Sequence, residues 1–197
     1  MLFRSGIRNN VFSKNRKLKL LNKYILKYRV NKVIVLSNSL KAMYKGVYPE
    51  SKISVLKNCV NSSLFIDQRR LRNKYYNKNI QILYMSNFII TKGYMSLISG
   101  FIKLKSEYPN LGITLNLAGS VKDKETKQYI HNLSQKRDDI IYHGIVDGDS
   151  KRILLEKSHV FCLPTRYVFE GQPISILEAY ASGLVVLTTP QGGIPDI

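Results

Sequence analysis

The sequence predicts an α/β protein organised on a parallel β-sheet with helices on both faces. Three features carry that expectation. From Ile80 onward, short apolar runs alternate with longer segments whose apolar residues recur at helical spacing. Two of the runs end at glycines, Gly119-Ser120 and Gly144, where a strand gives way to a turn. The intervening segments can serve as right-handed crossover helices, so neighbouring strands run the same way.

The chain before Ile80 is different in character. Residues 1–80 carry 19 Lys/Arg against Glu50 and Asp67, a net of +17, while residues 81–197 are almost neutral at +1. Two readings fit this asymmetry: a lysine-rich solvated surface, or a face turned to something anionic, a membrane surface or a polyanion. Residues 16–30 predict a basic amphipathic helix. Leu18, Leu21, Ile25 and Tyr28 share one face, and Lys19, Lys23 and Lys27 recur every four residues on another. That apolar stripe suits a protein core, and the lysines suit anionic lipid headgroups. Nucleic acid is the less fitting partner, since no nucleic-acid motif accompanies the tyrosines Tyr24, Tyr28 and Tyr44.

Lys32–Leu36 predicts a short strand, and Ser37-Asn38-Ser39 can cap a helix running through Met43. Gly46–Ser51 reads as a turn and Ile53–Leu56 as a second short strand. Asn58–Leu64 and the basic Arg69–Asn79 read as a connector. The alternation then begins: strand Ile80–Met85, helix Gly93–Tyr108 with Tyr94, Leu97, Ile98, Phe101, Leu104 and Tyr108 in register, strand Ile113–Ala118. Helix Lys124–Arg137 follows with Tyr129, Ile130 and Leu133 inward, then strand Ile140–His143, helix Ser150–Lys157 and strand Val160–Leu163.

The last of these strands leads into Phe169-Glu170-Gly171-Gln172-Pro173-Ile174-Ser175-Ile176-Leu177-Glu178-Ala179-Tyr180-Ala181-Ser182-Gly183. Pro173 suits the first turn of a helix, where a missing N–H costs nothing, and Gly183 suits the position past its end. Leu184–Leu187 is the next strand. Glu170 then falls in the loop and Glu178 inside the helix, and the N–H groups of Ile174 and Ser175 at its start suit a phosphate. The loops after successive strands, Ser86-Asn87 with Thr91-Lys92-Gly93, then Gly119-Ser120, Gly144 and Glu170-Gly171, all belong to the carboxyl edge of the predicted sheet. Ligands bind there in open α/β folds.

This stretch, with Gly192-Gly193-Ile194-Pro195-Asp196 beyond it, resembles the E-x(7)-E region of retaining GT-B glycosyltransferases of the family-4 type. The resemblance implies a Rossmann-like sheet, the C-terminal half of a GT-B fold, with a remnant of the N-terminal domain. It implies transfer, with retention, from a nucleotide-diphosphate sugar (UDP- or GDP-linked) to a glycan or lipid-linked acceptor, in bacterial surface polysaccharide synthesis. Glu170 would contact the transferred sugar as the catalytic carboxylate. Lys92 and Gly93, with Asn87 on the same loop, and the backbone of Gly171, Gln172, Pro173 and Ile174 would hold the diphosphate. Glu178 would accept from both ribose hydroxyls, and Gly119 and the backbone around Ile145 would line the ribose and base pocket. The departing diphosphate would assist attack from the same face, with charge stabilisation as the main catalytic effect. The family commonly places an arginine after a glycine where this chain has Ser86-Asn87, which leaves one cation fewer for the leaving group.

His131, His143 and His159 lack metal-ligand spacing, so no metal or other cofactor is expected. The histidines read as surface (His131) and strand-end (His143, His159) residues. Nor is a glycosidase dyad expected, since the two carboxylates would serve different parts of the donor. Two cysteines, no apolar run long enough to span a bilayer and no signal-like segment in Met1–Asn10 point to the cytoplasm, with peripheral attachment to the inner face of the membrane as a further option.

The expected organisation is 1–65 as the end of the acceptor-side domain and linker, 66–79 as a basic connector, and 80–197 as the nucleotide-sugar-binding domain, truncated at its C-terminus. The resemblance also implies that the chain is a fragment of a two-domain enzyme, inactive by itself. Two other functions remain open at this point: a nucleotide-sugar epimerase of the same fold, and a non-catalytic remnant that binds anionic surfaces.

Overall fold

A computed structural model describes residues 16–46, 48–76 and 78–197, with side chains from Leu20 onward. The Met1–Asn10 segment, Val47 in the expected turn, and the Leu18 and Lys19 side chains lie outside the described residues. The chain forms two compact units that interleave along the sequence. The first takes the residues up to Cys59, Tyr167–Pro173 and Pro190–Ile197; the second takes Val60–Arg166 and Ile174–Thr189. The boundaries expected at residues 65 and 79 are linear, whereas here the chain re-enters the first unit twice.

In the first unit, helix α1 (Arg16–Arg29) lies beside two short parallel strands, β1 (Val33–Val35) and β2 (Ile53–Val55), with Val33 opposite Ile53. Leu26, Val33, Val35, Leu40, Tyr44, Tyr48 and Ile53 form its core, with Val30 packed against them. The face of α1 that is buried differs from the expected one. Leu26 is buried, whereas Leu21, Ile25 and Tyr28 are 51%, 37% and 61% exposed. Leu26 and Val30, one turn apart, lie about a third of a turn round from that stripe, and the Tyr48 hydroxyl donates to the Val30 carbonyl at 2.6 Å. That bond and the β1–β2 surface set the rotation of the helix.

The segment after β1 forms a 3-10 turn over Ser39–Tyr44, and the Asn38 side chain does not cap it. Its cap comes from the far end of the chain. The Ser39 backbone N–H and hydroxyl donate to the Asp196 carboxylate at 2.6 and 3.0 Å, and that N–H holds the Asp196 pKa below its ordinary value.

The second unit is a five-stranded sheet with every pairing parallel. Its strands are β3 (Ile80–Met85), β4 (Ile113–Ala118), β5 (Ile140–Tyr142), β6 (Val160–Leu163) and β7 (Val185–Thr188), in the order β5-β4-β3-β6-β7. Four helices connect the strands: α3 (Tyr94–Glu107), α4 (Lys124–Lys136), α5 (Gly148–Lys157) and α6 (Ile174–Ala181). Burial of β4 is continuous from Ile113 to Ala118, as a parallel strand covered on both faces requires. Ile98 and Phe101 of α3 and Ile130 of α4 turn inward, while Tyr108 and Tyr129 are exposed at their rims.

The expected connector is instead a helix of the second unit, α2 (Gln68–Tyr75). Asp67 caps it by accepting from the Arg70 N–H at 2.8 Å, Tyr75 donates to the Gly183 carbonyl, and Ile66 N–H donates to Ala181 O. Among the described basic residues of this stretch, Arg69, Arg70, Arg72 and Lys78 are exposed and Lys74 is buried. Its ammonium is buried, donating to the carbonyls of Ser182 at 2.7 Å and Leu155 at 3.2 Å, at the C-terminal ends of α6 and α5, where a cation complements the helix dipole.

Burial nevertheless pushes the Lys74 pKa down to about 8, outweighing the favourable charge of Glu156. Its folded pKa is thus below its unfolded one, and native Lys74 releases its proton first as pH rises. The stability of the native chain relative to Lys74→Met therefore increases between pH 8 and 10.5, by on the order of 3 kcal/mol. Urea unfolding of both proteins at pH 7 and pH 10.5 measures this difference. An unchanged gap would show that Lys74 is solvated in the native state.

Candidate functional site

Because the strands of the second unit are parallel, the loops after β3, β4, β5 and β6 emerge at one edge of the sheet. Direct bonds join them. Phe88 N–H donates to Ser120 O at 2.9 Å, Gly119 N–H to Gly144 O at 2.7 Å, and Arg166 N–H to Thr91 O at 2.6 Å. The loop after β3 is anchored from below by Phe88, whose ring meets those of Tyr84, Tyr94 and Tyr142 at centroid distances of 5.4, 5.2 and 5.6 Å. The Tyr84 hydroxyl also donates to Asn87 O. Nothing in the sequence pattern singled out Phe88; an aromatic next to a polar loop is its only signal.

Two glycines permit this crowding. Gly119 has φ +139° and its backbone lies against the Ser86 carbonyl; Gly93 has φ +86° and lies against that of Pro164. A Cβ at either position would overlap those oxygens. Asn87, Lys92, Gly93, Gly119 and Ile145 are thereby gathered at one edge: Asn87 and Ile145 exposed, Lys92 half-buried just ahead of α3.

Glu178, on α6 of the same unit, is buried, as the inward face of a short helix dictates. Its carboxylate pairs with the Lys151 ammonium at 2.5 Å. Both line a cleft of about 370 Å³ with Asn61, Ser63, Gly148 and Arg152. Lys151 was not among the residues expected from sequence; a lysine early in α5 gives no sign that it faces Glu178. Ile174, at the start of α6, is exposed.

Glu170, Gly171, Gln172 and Pro173 belong to the first unit. Glu170 is buried, and its carbonyl lies against Gly192, whose φ is +60°. Gly193 N–H donates to Gly171 O at 2.9 Å, so the Gly-Gly-Ile-Pro segment supports the Glu170 loop. The Gln172 side chain turns inward: its Oε1 accepts from Asn58 N–H at 2.6 Å and its carbonyl from Asn58 Nδ2 at 2.7 Å. The backbone of this turn can still meet a ligand, but the Gln172 amide oxygen is occupied.

The histidines are structural. Nδ1 of His159 accepts from Gln81 N–H and its Nε2–H donates to Lys74 O, while Nε2–H of His143, whose pKa desolvation lowers, donates to Asn116 Oδ1 at 2.8 Å. Asn116 in turn donates to Gln81 Oε1. These residues line a larger cavity of about 780 Å³, in which Gln81, Asn116, His143 and His159 bond one another, and it includes none of the expected site residues. His131 is exposed beside Gln135. Among the described residues no three His, Cys, Asp or Glu side chains group as metal ligands, and no helix is long and apolar enough to cross a membrane.

The family model Glycosyl transferases group 1 matches residues 66–197. An uncharacterised glycosyltransferase of Methanocaldococcus jannaschii is 26% identical over 187 residues, 88% of this chain and 46% of that protein. Sucrose-phosphate synthase from Thermosynechococcus elongatus has a similar fold, with TM-score 0.70 and 20% identity over 96% of this chain and 49% of that one. Anabaena HepE, solved with UDP and glucose, gives TM-score 0.68 at 16% identity over 97% and 52%. The chain thus spans about half the length of these relatives.

The loop packing is testable. Gly119→Ala is expected to destabilise the second unit by about 2 kcal/mol or more, through both the left-handed φ and the Ser86 overlap. Gly100→Ala, inside α3 with open space around it, is expected to stabilise by about 0.5–1 kcal/mol. Urea unfolding compares them. Equal effects would mean that the loops do not approach as closely as described.

Proposed function

Because the chain belongs to the glycosyl transferases group 1 family, we propose that it carries the donor-binding part of a retaining glycosyltransferase. The donor is a nucleotide-diphosphate sugar, UDP- or GDP-linked. In this reading Glu178 accepts from the ribose hydroxyls, and Gly119 and the Ile145 backbone line the nucleoside. Lys92, with Asn87, Gly93 and the start of α3, faces the diphosphate, and the resemblance also assigns to it the backbone N–H groups of Gly171, Gln172 and Ile174, Pro173 having none. Glu170 contacts the transferred sugar where positive charge develops. The leaving diphosphate carries its negative charge to these fixed donors, a transition-state interaction that lowers the barrier directly, so the reading calls for no metal.

The observation that carries this reading is the bonding of four loops along one edge of the sheet, in the unit that also holds Glu178 buried in a cleft. The UDP and glucose bound by HepE agree with a nucleotide-sugar ligand. For the acceptor we take a glycan or lipid-linked sugar of a bacterial surface polysaccharide, handled at the inner membrane face. The support is α1, which exposes Leu20, Leu21, Tyr24, Ile25 and Tyr28 among Lys23 and Lys27. Apolar rings and lysines on one helix suit the headgroup region of an anionic bilayer.

Saturation-transfer NMR and calorimetry with UDP- and GDP-sugars test the donor site. The chain is expected to bind at least one, and Glu178→Ala to weaken it about tenfold or more, the loss of hydrogen bonds to a charged group. Glu170→Ala is expected to leave affinity within about threefold and to reduce sugar transfer in the complete enzyme. Equal affinity with and without Glu178 refutes the ribose assignment. Sedimentation with phosphatidylglycerol vesicles tests α1: Lys23→Glu/Lys27→Glu should abolish binding, and binding that ignores both charges counts against the membrane role.

A further inference from the structure

We infer that Lys151 is a positioning residue for the nucleotide ribose, acting through Glu178; the inference rests on the donor-site reading above. The Lys151 Nζ lies 2.5 Å from Glu178 Oε1, with the glutamate side chain only 10% exposed and the lysine 28%. Glu178 makes no other side-chain bond among the described residues. Its Oε2 is therefore available in the cleft that both residues line.

Local helix stability does not account for Lys151. It stands in the first turn of α5, whose cap is Asp147, and a cation there opposes the helix dipole. Its neighbour Arg152 bonds outward, to Asp149 at 3.3 Å and Glu156 at 2.9 Å. Lys151 alone turns to Glu178. A carboxylate on a short helix facing an open cleft can occupy several rotamers, and a bidentate grip on two vicinal hydroxyls requires one of them. The ammonium fixes it: one oxygen is held, and the other projects to the ligand. Lysine is suited to this as a compact cation with three donors, two of which remain after Glu178 is engaged.

The distinguishing measurement is discrimination between ribo- and deoxyribonucleotides. Titrating the full 197-residue chain with UDP, GDP and ADP identifies the tightest, which is then compared with its 2′-deoxy form. The native chain is expected to prefer the ribose form about tenfold, the effect of one hydrogen bond to a charged acceptor. Lys151→Met is expected to reduce that preference to about twofold, and Lys151→Arg to restore most of it. Should the Met variant not fold, Lys151→Gln is read in its place.

A merely structural ion pair would lower the melting temperature of Lys151→Met and leave the preference near tenfold; that outcome overturns the inference while donor binding stands. Tighter ribose binding in the Met variant, with preference unchanged, would make Lys151 a competitor of the nucleotide and overturns it as well. If the native chain binds none of the three nucleotides, or if Glu178→Ala keeps the ribose preference, the donor-site reading itself fails.

Discussion

The parallel pairing of β3 with both β4 and β6 governs the second unit. From β3 the chain moves outward to β4 and β5, then crosses back to β6 and β7 on the other side. Two successive connections therefore diverge between β3 and β6, which leaves a crevice at their carboxyl ends. Leu83, Tyr84, Leu115, Leu117, Phe161 and Leu163 are fully buried in this sheet. Each such side chain contributes about 1.5–3 kcal/mol, against about 1 kcal/mol net for one hydrogen bond. Apolar burial thus fixes the strands, and the strands fix where the polar loops emerge.

At that edge the backbone, rather than the side chains, makes most of the contacts. Carbonyls of Ser86, Gly144 and Pro164 lie against neighbouring loops, and only glycine tolerates the approach at positions 93 and 119. Beneath them the Phe88 ring cluster gives the β3 loop an apolar floor. Polar residues can then face solvent or ligand without the loop collapsing, because its position is set by packing on one side and by hydrogen bonds on the other.

Cations are distributed by the same logic. Lys74 is drawn into the interior by two helix C-terminal carbonyls, although burial lowers its affinity for a proton. Lys151 is drawn against the local dipole by Glu178. Lys23 and Lys27 of α1 remain outside, beside the exposed Tyr24 and Tyr28. A net charge is therefore a poor guide to what individual lysines do: a fixed anionic or carbonyl partner holds Lys74 and Lys151 in place, while Lys23 and Lys27 stay at the surface.

The sequence by itself determined the secondary structure from Ile80 onward, the parallel sense of the sheet, and the loop and helix that hold Glu170 and Glu178. Those follow from local periodicity, from Pro173 and Gly183 as helix punctuation, and from the order of runs. Only the tertiary structure decided which face of α1 is buried, that 68–75 is a helix of the second unit, that the cap of Ser39 is Asp196, and that Gln172 grips Asn58. It alone paired Lys151 with Glu178. The contacts Lys151–Glu178, Asn58–Gln172 and Ser39–Asp196 join residues 27, 114 and 157 positions apart. No spacing along the chain encodes such a partner; it is chosen by which polar groups the packed apolar surfaces leave within reach.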